Sequence, residues 1–363
     1  MKLKEEVICE VLSLYRKDVP IEYHTIDTSH GEDDFRQAIF VEWPDLRSVI
    51  KIASNGFTTP HRVQGWYDTI LKYREMGYYC PAIVPTLNGN VAAELTIDGK
   101  PCVVYAEEFS AVKTAEQWGK DVYRPYDRYV FHDDVFRFLG KVGSAHLTTA
   151  DFPSGYCILE GFAPGEEDEI FSNAVEVKEI LDSMPQYRER VAVIWQTYLE
   201  NKAKLEEIYP KLPTSVFQAD PNWCNVLLDE KHRFAGLLDF NLCGQDTVMN
   251  VLFRDSFTWF YEDVFHYVPT GSKYSDVFYL PEMNQRALNS LFQNIRLTKE
   301  TYAFSKEEIE AALLIYRYMR PLSWAVRNCL SNHKDDANVI EIVLDWIEQE
   351  QCRDIDFASI MQG

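Results

Sequence analysis

Between residues 21 and 109, apolar positions fall in short β-branched runs that a helical period interrupts once. Ala38-Ile39-Phe40-Val41-Glu42 and Ser48-Val49-Ile50-Lys51-Ile52 have strand character, and the turn-forming Trp43-Pro44-Asp45-Leu46-Arg47 between them makes the pair a hairpin. Val63, Trp66, Tyr67, Ile70, Leu71 and Arg74 then recur at spacings of three and four, which predicts a helix over 63–76 stopped by Gly77. Strand patterning returns over 83–86, 91–95 and 102–107. Beyond residue 110 the period is helical. A helix over 133–147 carries Val135, Phe138, Leu139, Val142 and His146 on one face, and His146, ending it, has the place of a packed core residue. One or two helices over 174–209 turn Val191, Val193, Ile194, Tyr198, Leu199 and Leu205 inward, and later helices cover 309–328 and 339–349. Phe253, Phe257, Trp259, Phe260 and Tyr261 form an aromatic stretch belonging to a core. The pattern is α+β, with a β-rich part over 1–109 and a mainly helical part over 110–363.

One segment breaks the helical period. Phe217-Gln218-Ala219-Asp220-Pro221-Asn222-Trp223-Cys224-Asn225-Val226-Leu227-Leu228-Asp229 is a short apolar strand, a polar loop and a second strand. Phe234-Ala235-Gly236-Leu237-Leu238-Asp239-Phe240-Asn241 follows a turn at Glu230-Lys231-His232 and completes a hairpin. Asp220, Asn225 and Asp239 therefore converge at one sheet edge. Phosphoryl transfer uses such oxygens, one to orient an acceptor hydroxyl and others to hold the divalent metal that neutralises nucleotide phosphates.

This pair of motifs resembles the aminoglycoside phosphotransferase and choline kinase-like superfamily, whose patterns are roughly His-Gly-Asp-x-x-x-x-Asn-Val-Leu and Gly-x-Ile-Asp-Phe. The resemblance implies a bilobal protein-kinase-like fold that binds ATP, or another nucleoside triphosphate, with Mg2+ in the interlobe cleft. It makes Asp220 the group that orients the acceptor and takes its proton, and Asn225 and Asp239 the metal ligands. Lys51, in an apolar strand similar to the family's Val-x-Lys-x, is assigned to the α- and β-phosphates. Counted back from Pro81, the acidic residue that holds this lysine from the following helix is Asp68. Residues 28–36 occupy the place of the loop that covers the phosphates, and Glu107-Glu108-Phe109-Ser110 resembles the hinge, so backbone groups of Glu107 and Phe109 are expected to meet the adenine. Gln218 and Ala219 replace the usual His-Gly, and 246–251 departs from Asp-Pro-x-x-Asp-Leu. A Gln amide donates and accepts, so Gln218 is expected to brace the two loops as the His does. The implied function is transfer of the γ-phosphate to a hydroxyl of an aminoglycoside-like or other aminated alcohol or sugar. The alternative is a catalytically degenerate kinase fold with a binding or spore-coat-type structural role.

Composition narrows the setting. The 363 residues are 46% hydrophobic and 14% aromatic, enough for two cores and incompatible with general disorder. The net charge of −21 argues against a nucleic-acid partner or an anionic membrane, whose binding draws on Lys and Arg. Solubility is the simplest use of such acidity. A sharper one is a groove for a cationic acceptor, with 31–34 and Glu166-Glu167-Asp168-Glu169 as the acidic runs. No apolar stretch reaches the roughly eighteen residues of a membrane span. The charged start, Met1-Lys2-Leu3-Lys4-Glu5-Glu6-Val7, lacks the apolar core of a signal peptide. Eight cysteines without any Cys-x-x-Cys suggest reduced thiols and a cytoplasmic protein.

Overall fold

The alternating runs close into one antiparallel sheet: β1 (Glu22–Asp27), β2 (Phe35–Glu42), β3 (Arg47–Ser54), β4 (Ile83–Val84), β5 (Ala93–Ile97) and β6 (Lys100–Glu108). Its order is β1-β2-β3-β6-β4, with β5 also paired to β6. The computed structural model describes residues 3–31, 33–122, 129–264, 275 and 277–362, without the side chains of residues 120, 130 and 258–264. Met1, Lys2, Glu32 and the side chains of Trp259, Phe260 and Tyr261 thus lie outside the described residues.

Strand periodicity sorts the sheet into two faces. Ile39, Val41, Ile50, Ile52, Val104 and Ala106 are buried on one face, in a core shared with Ile8, Val11 and Leu12 of α1 (Glu5–Ser13). The opposite face follows from register. Lys51 pairs with Ala38 on β2 and with Tyr105 on β6, and Val49 pairs with Phe40 and Glu107. α2 (Pro60–Glu75) starts where Thr59 accepts from the Arg62 amide, with Pro60 in the first turn where its missing N–H costs nothing. Its Trp66 packs edge-on against Tyr105, ring centroids 5.6 Å apart.

Helices α3 (Ala115–Trp118), α4 (Val130–Ala145), α5 (Glu169–Asp182), α6 (Arg188–Ile208), α7 (Val248–Val264), α8 (Pro281–Lys299), α9 (Lys306–Met319), α10 (Trp324–Asn332), α11 (Ala337–Cys352) and α12 (Phe357–Gln362) follow. Four short strands, β7 (Thr214–Phe217), β8 (Val226–Leu228), β9 (Phe234–Leu237) and β10 (Gly244–Thr247), lie among them, β7 pairing with β10 and β8 with β9. The helix expected over 309–328 is two helices, because Pro321 has no amide to donate and its ring crowds the preceding turn. On α6, Val191, Ile194, Tyr198 and Leu205 are buried along one stripe, whereas Val193 and Leu199, off that stripe, are exposed. His146 is exposed rather than packed in a core, and it caps α4 in left-handed backbone, φ +44°.

The chain forms two compact units that interleave in sequence. The first is Met1–Trp118, Thr148–Phe152 and Gln218–Gly244, and the second is Gly119–Leu147, Pro153–Phe217 and Gln245–Gly363. A single boundary at residue 110 does not describe this, because backbone pairing carries the second hairpin into the first unit. Tyr79 donates to Ala235 O at 2.8 Å, and Leu237 donates to Tyr79 O at 3.1 Å. Between them only glycine fits, since a Cβ on Gly236 would lie 1.7 Å from Tyr79 O. Among the described residues no helix is long and apolar enough to cross a membrane.

Candidate active site

Lys51 sits mid-strand on the face opposite the α1 core, its side chain 23% exposed. Tyr105 lies directly across on β6, and Glu107, two residues on, shares that face at the diagonal position within reach of a long side chain. The Lys51 ammonium lies 3.0 Å from Glu107 Oε2 and 2.9 Å from Asp239 Oδ1. It also stands 5.7 Å from the Tyr105 ring centroid. Burial acts to lower the lysine's pKa, but the Asp239 and Glu107 carboxylates outweigh it and hold the ammonium well above its ordinary value. Burial raises the Glu107 carboxyl, Lys51 pulling it down and Asp239 pushing it up.

Asp68 is not at this lysine. It accepts from Gln64 one turn earlier on its own helix, at 3.0 Å, and the carboxylate expected from α2 is supplied by a strand instead. The unpaired hinge backbone expected at 107–110 is also absent at two positions. β6 runs on to Glu108, Glu107 is paired on both sides, to β3 and β4, and the Phe109 amide donates to Arg47 O at 2.9 Å. Phe109 packs beneath the Arg47 guanidinium, 4.3 Å from its ring centroid.

The polar loop after β7 is organised by Gln218, 1% exposed. Its Oε1 accepts from the Asp220 amide at 2.8 Å, and its Nε2 donates to Leu238 O at 3.0 Å and Asp239 O at 2.7 Å. One side chain thus fixes both carboxylate-bearing loops, the bracing expected of it. Each loop bends through left-handed backbone at a non-glycine residue, Ala219 at φ +70° and Asp239 at φ +58°, a conformation that costs about 1 kcal/mol per residue and persists where its surroundings over-determine it. The Leu238 amide donates to Asn225 O at 3.0 Å. Phe240 packs edge-on against Tyr73 of α2, 5.7 Å between centroids.

Asp220 Oδ2 accepts from Asn222 Nδ2 at 2.9 Å and from Asn225 Nδ2 at 3.0 Å. Asn225 Nδ2 also donates to Asp220 O at 2.9 Å, so the amide nitrogen is committed to Asp220 and Oδ1 remains as the side chain's oxygen donor. Among the described residues no group of three or more His, Cys, Asp or Glu could enclose a metal ion. Magnesium does not require such a cage. It keeps waters and substrate phosphates as ligands, and one carboxylate with one amide oxygen suits it.

The site therefore brings Lys51, Glu107 and Asp239 together, joins Asp220 to Asn225, and links the two groups through Gln218. Glu107 as lysine partner was missed from sequence, because only the β3–β6 register brings the two residues together. All eight cysteines are free thiols, as expected, and Asp168 of the acidic run is a buried cap, accepting from the Phe171 and Leu159 amides and from Tyr318.

An antiparallel N-terminal sheet followed by a larger helical part is a kinase-like fold. Two solved structures show the likeness directly. An amicoumacin kinase determined with AMP-PNP and Ca2+ has a TM-score of 0.53 and 12% identity, covering 98% of this chain and 97% of its own. An aminoglycoside phosphotransferase from Alicyclobacillus acidocaldarius has a TM-score of 0.53 and 12% identity, covering 100% and 96%. No protein-family model and no curated protein sequence matches the chain.

Proposed function

We propose that this protein is an ATP-dependent phosphotransferase that moves the γ-phosphate to a hydroxyl of a small aminated alcohol or sugar. The observation that carries the proposal is the Gln218 brace, which orders Asp220 and Asp239 together from two separate loops. A protein with no use for these carboxylates would gain nothing from positioning them over strained backbone. Asp220, held by two Asn amides, orients the acceptor hydroxyl and accepts its proton. Lys51 binds phosphate oxygens as a fixed, protonated ammonium. Asn225 Oδ1 and Asp239 would hold Mg2+, which when bound neutralises phosphate charge during transfer. The fold shared with an amicoumacin kinase and an aminoglycoside phosphotransferase supports a small-molecule acceptor. The chain's net charge of −21 supports a cationic one.

The test has two stages. Thermal shift with ATP and with GTP, each with and without MgCl2, should give a stabilisation that needs nucleotide and metal together. Transfer from γ-labelled ATP should then be detected in a panel of amino alcohols, amino sugars and aminoglycosides. Binding without transfer to any acceptor would favour the scaffold reading, for which the replacements at Gln218 and Ala219 are the motif-level argument.

A further inference from the structure

We infer that Glu107 is the positioning residue of Lys51, keeping the ammonium in place when Asp239 is engaged by a metal ion. The inference rests on the kinase reading above and concerns a residue to which that reading gave no side-chain role.

Lys51 has two carboxylate partners of different character. Glu107 belongs to a strand paired on both sides, and its side chain is 12% exposed with both oxygens near the ammonium, at 3.0 and 3.2 Å. With both oxygens on the ammonium, this enclosed side chain keeps its partner in place. Asp239 lies on a loop, 33% exposed, and is the carboxylate that a metal ion would take. A divalent cation held at Asp239 would screen that residue's attraction for Lys51 and repel the ammonium. Were Asp239 the lysine's only anion, metal binding and lysine placement would oppose each other. With Glu107 present the cluster holds two anions for one ammonium, so Asp239 can be shared while Lys51 stays paired. Asp68 is bonded to Gln64 instead, so the lysine's anchor is built into the sheet and needs no helix movement to assemble.

The consequence is specific. Glu107→Gln leaves Lys51 and Asp239 as a lone pair with which the metal must compete, and it removes one negative charge near the metal site. Both effects raise the magnesium requirement. Neither weakens binding of the nucleotide anion in the absence of metal, which should be equal or tighter.

The experiment titrates MgCl2 at fixed ATP, reading nucleotide binding by thermal shift and by a fluorescent ATP analogue, for wild type, Glu107→Gln, Glu107→Asp, Lys51→Met and the Lys51→Met/Glu107→Gln double variant. The expected result is a magnesium midpoint raised about tenfold in Glu107→Gln, the order expected for one unit charge a few ångströms away in a partly buried site. Glu107→Asp, which keeps the charge on a shorter stem, should fall between, and it also covers the case in which the Gln variant does not fold. The Gln substitution should raise the midpoint by less once Lys51 is Met, because only the lost charge and no longer the competing lysine then acts, and a purely structural role would not produce that difference. A Glu107→Gln midpoint within twofold of wild type, or an effect undiminished in the Lys51→Met background, overturns the inference while leaving the kinase reading standing. Absence of magnesium-dependent nucleotide binding in the wild-type protein overturns both.

Discussion

Gln218 Nε2 donates to the Asp239 carbonyl oxygen at 2.7 Å while its Oε1 accepts from the Asp220 amide. Gln218 thus makes a three-bond bridge in a fully enclosed position. Gln218→Leu, similar in volume, orphans a buried N–H and removes a donor from two carbonyls, so it should destabilise by about 2 to 4 kcal/mol. Turnover should fall further than nucleotide affinity, because the register of Asp220 relative to Asp239 is lost. Gln218→His, which retains a donor and an acceptor, should lose less of both. Chemical unfolding and steady-state kinetics check this, and wild-type turnover in the Leu variant would refute the bridge as a catalytic support.

Asp239→Ala should abolish the magnesium-dependent part of nucleotide stabilisation. Asn225 alone offers one neutral oxygen, too little to hold Mg2+ against its hydration. The unliganded fold should change little, since Lys51 keeps Glu107 as partner. A thermal shift with ATP and magnesium equal to wild type would remove Asp239 from the metal site.

The parts legible in the sequence were those in which local geometry demands particular residues at fixed spacing. The 217–241 segment is of this kind: a loop in which Asn225 turns back to bond Asp220, and a hairpin whose Gly236 lets Tyr79 approach, leave little freedom of residue type. Lys51 was visible as a lone cation in an apolar strand. Asp68 was misplaced because counting along a helix gives a position in sequence but not the direction of a side chain, and this one points to Gln64. Glu107 was hidden for the converse reason. Its partner is 56 residues away, and only the β3–β6 register, set by tertiary pairing, brings them together. The same long-range pairing, through Tyr79 and Ala235, placed 218–244 in the first unit, where a linear boundary could not.

Removing Lys51 should cost stability, contrary to what an isolated strand lysine would suggest, and the cost should depend on pH. The Glu107 carboxyl is already raised by burial above its ordinary 4.5 with the lysine present. A carboxyl whose folded pKa exceeds its unfolded one contributes stability at low pH that is lost as pH rises from the unfolded value through the folded one. Without the ammonium the folded value climbs further, so the penalty of Lys51→Met should be smallest at acid pH, where the carboxyl is neutral, and should grow as pH rises, to about 3 kcal/mol. Melting temperatures measured as a function of pH check it. Adding Glu107→Gln should remove most of the pH dependence, and a penalty independent of pH would mean that Glu107 is not the group left uncompensated.

Asp220→Asn separates an enzyme from a scaffold. The substituted amide can still present an oxygen to Asn222 and Asn225, so the loop and its Gln218 brace should survive. Nucleotide and magnesium binding should also survive, because in the proposed arrangement neither is held by this side chain. What is lost is the anion that orients the acceptor hydroxyl and takes its proton, a contribution typically worth about 10²- to 10⁴-fold in rate. The expected outcome is therefore an unchanged nucleotide titration with turnover reduced by at least about a hundredfold, measured as transfer from γ-labelled ATP to whichever acceptor the panel returns. Turnover within a few-fold of wild type would show that the proton leaves by another route, and Asp220 would then be a loop residue rather than a base.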